Sequence, residues 1–102
     1  MIVRTARTGY PKDMEFEWDP RKAQANFAKH GITFSEAATI FGDPLAVTYF
    51  DPDHSSEEDR YLTFGATTKG DFVVVVHTER GDTTRLITAR RMTSRERNQY
   101  ER

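Results

Sequence analysis

The residues best suited to chemistry are the arginines near the end of the chain. The segment from Arg85 to Arg102 holds six arginines and no lysine, against only Glu96 and Glu101, a local balance of 6 − 2 = +4. An arginine presents a planar fork that pairs with two phosphate oxygens and stays charged at any relevant pH, whereas lysine supplies a point charge. This composition indicates a surface for a polyanion. The simpler interpretation is a solvated helix and solvated strand ends.

An acidic segment in the middle of the chain offsets this positive charge. Between Asp43 and Asp59 there are six acids and no Lys or Arg, while the whole chain has a formal net charge of −1. Such segregation suits a protein in which one surface binds a polyanion and another surface does not. The stretch "DPDHSSEED" has the alternating acids of a calcium loop but lacks its turn glycine and terminal glutamate, so we expect no metal there.

His77 is the natural candidate for proton transfer. An unperturbed histidine pKa of about 6.5 lets the ring act as acid or base near neutrality. Glu79, two residues on, could hold the imidazole or act as a base itself. The simpler interpretation is a packed or surface histidine on a strand. His30 is explained by a helix end and His54 by an acidic loop, and the three histidines lack metal-ligand spacing.

Length and composition limit the possible architectures. The 102 residues allow one domain with a modest core, since 36% are hydrophobic and 30% are charged. The absence of cysteine excludes disulfides and thiolate chemistry and fits a reducing cytoplasm. No apolar run approaches the roughly 18 residues that cross a bilayer. We expect a flexible extension at 1–13, a single domain at 14–102 and a cytoplasmic protein.

Two helices are expected after a short strand in "EFEW" (15–18). Asp19 is a suitable N-cap for the first helix, and Gly31 can take the left-handed conformation that ends it. Thr33 and Glu36 have the spacing of a capping box that begins the second helix.

Strands and a last helix are expected in the rest of the chain. Turn-rich segments separate four apolar stretches: "LAVTYF" (45–50), "RYLTFGAT" (60–67), "FVVVVHTE" (72–79) and "TTRLITAR" (83–90). A second capping box, Thr93 with Glu96, begins a short C-terminal helix. The order βααββββα predicts an α+β fold, in which the first two helices pack on one face of an antiparallel sheet.

The side-chain pattern predicts which residues face each other. The run from Val73 to Val76 is apolar on both faces, so its strand should be central. Trp18 and Phe27 are expected in the core. Strict alternation divides the last strand into one face with Leu86, Thr88 and Arg90 and another with Arg85, Ile87, Ala89 and Arg91.

Two stretches together carry a family resemblance. "FEWDPRKAQANFAKHGITFSEAATIFGDP" is followed, at the right distance, by "RLITARRMTSRERNQY", and Arg60 before "YLTFG" fits a middle block. This arrangement resembles the BrnT family of toxins from bacterial type II toxin–antitoxin pairs. The resemblance covers Phe16 to Tyr100, nearly all of the chain except the first fifteen residues.

The resemblance implies a fold similar to the RelE-type ribonuclease toxins and an activity that cleaves RNA and arrests translation. It also implies neutralisation by a BrnA-like antitoxin with a ribbon-helix-helix DNA-binding domain. A toxin dimer and an antitoxin dimer would form a complex that represses its own operon. Operator DNA would be reached only through the antitoxin.

The residues expected at the site follow from this chemistry. Metal-independent RNA cleavage needs cations for the charge on the phosphorane and groups that move two protons, so we expect neither a metal nor another cofactor. The expected catalytic residues are Arg85, Arg90, His77 and Arg60, and the expected RNA-binding residues are Arg80, Arg91 and Tyr100.

Two other functions fit the same residues. The chain could be a non-catalytic RNA-binding module whose arginines grip phosphates. It could also be an interaction protein whose basic terminal helix docks an acidic partner. RNA binding that weakens steeply with salt would exclude the last of these.

Overall fold

The structure, a computed structural model, describes the backbone of residues 2–4 and all of residues 14–101. Its strands are β1 (Ile2–Arg4), β2 (Glu15–Glu17), β3 (Val47–Asp51), β4 (Arg60–Ala66), β5 (Phe72–Arg80) and β6 (Thr83–Arg91). Its α-helices are α1 (Pro20–His30), α2 (Phe34–Ala37) and α3 (Ser94–Tyr100), and short 3-10 turns occupy Ala38–Gly42 and Pro52–His54. Most of the predicted extension, 5–13, lies outside the described residues, whereas residues 2–4 add a strand to the sheet.

The strands form one sheet in the order β1-β2-β6-β5-β4-β3. The predicted antiparallel hairpins β4–β5 and β5–β6 are confirmed, and β5 is central as its valines indicated. The prediction of a purely antiparallel sheet was wrong in one place, because β2 pairs with β6 in parallel. The pairing partner of β2 is distant in the sequence, so no turn sets its direction.

The helix ends follow local signals. Asp19 Oδ1 accepts a hydrogen bond from the Arg21 amide at 2.8 Å, and Gly31 ends α1 with a φ of 71°. Thr33 Oγ1 accepts from the Glu36 amide at 3.0 Å. The Glu36 carboxylate instead accepts a bond from the Thr67 hydroxyl at 2.9 Å, so only half of the predicted capping box forms.

The core lies between α1, α2 and one face of the sheet, which we call the inner face. It contains Phe16, Trp18, Ile32, Phe34, Ala37, Ala38, Ile40, Val73, Val75, Leu86 and Ala89. Trp18 is buried as predicted, but Phe27 is 52% exposed. The prediction for Phe27 was wrong because α1 buries Asn26, and successive residues on a helix are rotated by about 100°.

A β-bulge in β6 changes which residues share a face. Leu86 pairs with His77 and Thr88 pairs with Val76, so Ile87 is an extra residue on β6. Leu86 and Ala89 therefore both reach the core, against the strict alternation predicted from the sequence.

The bulge also brings two arginines to the same side of the sheet. Arg85 pairs with Thr78 and Arg90 with Val74, and these two partners share a face of β5 because they are four residues apart. We call this side, opposite α1 and α2, the outer face.

The short helix α3 lies against one end of the outer face, where Tyr100 packs on Phe72 with ring centroids 5.7 Å apart. Among the helices of the described residues, none is long and apolar enough to cross a membrane.

Candidate functional site

Three arginines on the outer face are linked through two carboxylates. Arg85 lies 3.4 Å from Glu17, and Arg80 lies 3.9 Å from the same Glu17 oxygen. Arg80 also reaches Glu58 at 3.4 Å, and Arg60 lies 4.0 Å from the other Glu58 oxygen. We call Arg60, Arg80 and Arg85 the arginine cluster. Three guanidinium groups against two carboxylates leave it one positive charge in excess.

The sheet topology brings the cluster together. Arg60 begins β4, Arg80 ends β5 and Arg85 lies near the beginning of β6. Because these neighbouring strands are antiparallel, the three positions meet at one end of the sheet.

The acidic segment contributes to the same cluster. Glu58 belongs to the predicted acidic run, and it pairs with Arg60 and Arg80. The acidic segment therefore neutralises part of the charge of the cluster. Both arginines remain partly exposed, and at 54% Arg80 is the more open of the two.

Arg90 shares the outer face but has its own carboxylate. Its two terminal nitrogens donate to Glu96 Oε1 and Oε2 at 2.7 and 3.0 Å. Glu96 also accepts a bond from the Thr93 amide at 2.9 Å and completes the predicted capping box of α3. The Arg90 guanidinium, opposed by burial and helped by the Thr93 amide, lowers the pKa of Glu96 to about 2. Arg90 thus ties α3 to β6.

Tyr100 is packed rather than free to stack on a base. Its hydroxyl donates to the Asp43 carboxylate, and its ring lies against Phe72. Burial, with the Asp43 bond, raises the pKa of Tyr100 to about 12. Burial of Asp43 acts to raise its pKa, but the bonds from Tyr100 and from the Ala66 and Leu45 amides outweigh it, so the pKa is lowered.

His77 lies on the inner face and is 3% exposed. Its Nε2 is 2.8 Å from Thr63 Oγ1 and its Nδ1 is 2.8 Å from Glu79 Oε2, so both ring nitrogens are occupied. The ring also contacts Phe41 and stacks on Tyr61, with centroids 5.0 and 5.8 Å apart. The structure therefore does not bring His77 to the arginine cluster. The predicted partnership with Glu79 does form.

Arg91 is also separated from the cluster. It pairs with Val73 in the β5–β6 ladder, and Val73 is a core residue, so Arg91 belongs to the opposite side from Arg85. Its guanidinium donates to Asp71 at 2.8 Å. Of the seven predicted residues, Arg60, Arg80 and Arg85 lie together, and Arg90, Arg91, Tyr100 and His77 lie elsewhere.

Asn26 is a structural residue that the sequence analysis did not single out. Its side-chain amide donates to Ala89 O at 2.9 Å, and its oxygen accepts from Ala89 N at 3.0 Å. The same amide donates to Ile32 O at 3.3 Å. One side chain thus pairs with the β6 backbone beyond the short segment that β2 covers. In the sequence, the signal for this role was an asparagine among small residues of the first predicted helix.

The described residues include two depressions beside the sheet. One, of about 280 Å³, lies between α1 and β6; Lys22, Asn26, Lys29 and His30 line it from the helix, and Ile87 and Thr88 from the strand. We call it the α1 cleft. The other, of about 540 Å³, lies between α3 and the strands β3 and β4. Its lining is largely apolar, with Glu96 and Glu101 at the helix.

The N-terminus of α1 connects the α1 cleft to the cluster. The pKa of Asp19 is lowered, first by the Arg21 amide and further by the charges of Lys22 and Arg85. Both cations therefore act on one carboxylate at the beginning of α1.

The fold and the arginine cluster define a small α+β domain with excess positive charge at one end of its outer face, and comparison with known proteins identifies its family. Residues 18–96 match the model of a family described as "Ribonuclease toxin, BrnT, of type II toxin-antitoxin system". The chain belongs to this family, which confirms the resemblance found in its sequence.

A solved structure shares the fold. The chain is similar to the ribonuclease toxin BrnT of Brucella abortus, whose crystal structure was solved at 1.1 Å, with a TM-score of 0.62 and 23% sequence identity. The match covers 78% of this chain and 96% of that one. No curated protein sequence matches the chain.

Proposed function

We propose that this chain is an endoribonuclease toxin that cleaves RNA without a metal ion and so inhibits translation in the cytoplasm. The observation that carries the proposal is the arginine cluster on the outer face, at 3.4 to 4.0 Å from two shared carboxylates. An incoming phosphate can replace those carboxylates at the guanidinium forks, because arginine pairs with both groups in the same geometry.

The proposed chemistry uses the 2′-hydroxyl of the RNA as nucleophile. Its oxygen bonds to the adjacent phosphorus, its proton passes to the Glu17 carboxylate, and the bond from phosphorus to the 5′-oxygen breaks. The 5′-oxygen takes a proton from water, so the products are a 2′,3′-cyclic phosphate and a 5′-hydroxyl. Arg85 and Arg80 stabilise the charge that develops on the phosphorane, and such preorganised charge is often the largest contribution to rate.

The remaining predicted residues receive supporting roles in this proposal. Arg90 and Tyr100 hold α3 in place, since each is tied to one carboxylate. His77 packs in the core, and Arg91 pairs with Asp71 on the side of the sheet opposite the cluster. General-base action is assigned to Glu17 because both of its arginine contacts use Oε1, so Oε2 stays outside these ion pairs, whereas Glu58 uses both of its oxygens.

The family also supplies the proposed partners. Type II toxins have a protein antitoxin, and we propose a BrnA-like antitoxin with a ribbon-helix-helix domain. A homodimer of this chain would join an antitoxin dimer, and the complex would contact operator DNA only through the antitoxin. A fold related to the RelE-type toxins is part of the same proposal.

The test is cleavage of a labelled RNA by purified protein in excess EDTA. We expect cleavage with cyclic phosphate ends, and a loss of about 100-fold in kcat for Arg85→Ala, as for removal of one preorganised donor. Arg85→Lys should recover only part of the rate, because the fork is lost. Arg95→Ala is the matched control, since Arg95 is exposed and forms no ion pair within residues 14–101.

A His77→Asn variant distinguishes the two roles of that residue. We expect cleavage per folded molecule close to that of wild type, with a lower free energy of unfolding. Loss of cleavage at unchanged stability would instead return His77 to the chemistry. If the wild-type protein binds the RNA but leaves it intact, the result would favour the non-catalytic RNA-binding module.

A further inference from the structure

The lysines of α1 differ from most of the arginines in their partners. Of the eight arginines in residues 14–101, all except Arg21 and Arg95 form ion pairs with carboxylates: Arg60, Arg80, Arg85, Arg90, Arg91 and Arg97. Lys22 and Lys29, by contrast, are exposed, and neither forms an ion pair with a carboxylate of residues 14–101. A bound anion can therefore approach either ammonium group without breaking an ion pair of residues 14–101.

The two lysines lie on one side of α1. They are seven residues apart, which is nearly two helical turns and a separation of roughly 10 Å along the axis. Asn26 lies between them and fixes the helix to β6 through Ala89. The spacing of the two charges is thus set by a helix that is anchored at its middle.

The α1 cleft adjoins the outer face. Thr88, which lines the cleft, pairs with Val76 and so points to the same side as Arg85 and Arg90. At the N-terminus of α1, the charges of Lys22 and Arg85 both lower the pKa of Asp19. The cleft and the arginine cluster therefore form one surface around the edge of β6.

The chemistry of the cleft suits an anion. Its lining includes two lysines, a histidine and the exposed hydroxyl of Thr88, and no carboxylate. The depression beside α3 has the opposite character, because it is mainly apolar and includes Glu96 and Glu101. Proteins that hold single-stranded nucleic acid use a positive groove that follows the backbone.

We propose that the α1 cleft binds the backbone of the substrate RNA next to the scissile phosphate, with Lys22 and Lys29 each contacting a phosphate. This inference rests on the proposed ribonuclease function and adds a second surface to it. The arginine cluster then acts on the reacting phosphate, while α1 holds the flanking nucleotides in register.

The experiment compares RNA binding by wild type and by a Lys22→Gln/Lys29→Gln double variant. The probe is a fluorescein-labelled single-stranded RNA with 2′-O-methyl groups, which lacks the nucleophilic hydroxyl, and anisotropy is measured over a range of salt concentrations. We expect a Kd about tenfold higher and a salt slope lower by about 1.4, since each single-strand phosphate contact contributes about 0.7. With cleavable RNA, KM should rise and kcat should change little.

The matched control is Lys69→Gln/Arg95→Gln, which removes the same charge from exposed residues that line neither site. Equal weakening in this control, or an unchanged Kd and salt slope in the α1 variant, would overturn the inference while wild-type cleavage keeps the proposed function intact. Wild-type protein that neither binds nor cuts RNA would instead reject the function itself. Circular dichroism of each variant confirms that the helix is retained.

Discussion

At the scale of single residues, the arginines differ in how closely a carboxylate pairs with them. Glu17 is shared by Arg80 and Arg85 at 3.9 and 3.4 Å, which are longer than the about 2.7 to 2.9 Å of a charge-assisted hydrogen bond. Arg90 has two short bonds to Glu96 alone. A phosphate competes far more easily for the first kind of guanidinium than for the second. In the proposed function, the same residue type thus binds the substrate in one place and holds a helix in another.

The Arg90–Glu96 pair gives a pH-dependent prediction. The pKa of Glu96 falls from 4.5 to about 2, so its contribution to stability is complete above about 4.5 and is lost as the pH falls towards about 2. Glu96→Gln should lower the free energy of unfolding at neutral pH by about 1 kcal/mol. The difference from wild type should shrink across that acidic window, as measured by urea titration at several pH values.

Glu57→Gln is the control for this measurement, because Glu57 is exposed in the acidic loop. A Glu96 variant whose deficit stays constant from neutral to acidic pH would show that the charge of Glu96 is not what holds α3.

At the scale of elements, Asn26 replaces a strand partner. β2 covers β6 only from Thr83 to Arg85, and beyond the bulge the Asn26 amide pairs with both backbone groups of Ala89. A buried backbone group without a partner costs about 1 to 3 kcal/mol. One side chain on α1 therefore stabilises the edge of the strand that carries Arg85 and Arg90.

Removal of this side chain is expected to be costly. Asn26→Ala leaves the Ala89 amide and carbonyl without partners, and we expect a loss of about 2 to 4 kcal/mol in the free energy of unfolding. Chemical denaturation measures the loss, and faster hydrogen exchange at the Ala89 amide locates it. Gln24→Ala, at an exposed position of the same helix, should change stability by less than about 0.5 kcal/mol. A similarly small effect for Asn26→Ala would mean that water replaces the amide.

The elements also separate what the sequence could predict from what it could not. The helix ends can be predicted from the local sequence, because their capping residues, Asp19, Gly31 and Thr93, contact backbone groups only a few residues away. The parallel pairing of β2 with β6 and the bulge at Ile87 depend on partners far away in the chain. Because the bulge decides whether Arg85 and Arg90 share a face, the sequence predicted the arginines of the cluster but neither their grouping nor their partner Glu17.

At the scale of the whole molecule, the segregated charges meet again in space. Glu58 of the acidic segment pairs with the arginine cluster, whereas Lys22 and Lys29 of α1 form no ion pair with the described acidic segment. A net charge of −1 therefore hides a cationic path that runs from the α1 cleft to a partly neutralised cluster. RNA affinity should depend on this local balance rather than on the total.

Glu58 offers a test of that balance. Glu58→Gln releases Arg60 and Arg80, so RNA should bind about threefold more tightly, in keeping with the weak energy of exposed ion pairs. Binding should also fall more steeply with salt, as anisotropy with the 2′-O-methyl RNA would measure. Glu57→Gln removes the same charge without an ion pair to either arginine. Equal affinities for the two variants would contradict a direct role of Glu58.

The inserted residue in β6 has a consequence for the evolution of such a surface. Arg85 and Arg90 are an odd number of positions apart, and in a regular strand that parity would send them to opposite sides. The bulge leaves Ile87 without a partner on β5, so the two arginines lie opposite β5 residues that are four positions apart and both reach the outer face. If the strand were straight with Ile87 kept, either Arg90 would enter the apolar interior and Ala89 would leave it, or Arg85 would enter and Leu86 would leave. Deleting Ile87 would instead remove the irregularity and keep both arginines on the outer face, so the shared side depends on this residue staying outside the ladder.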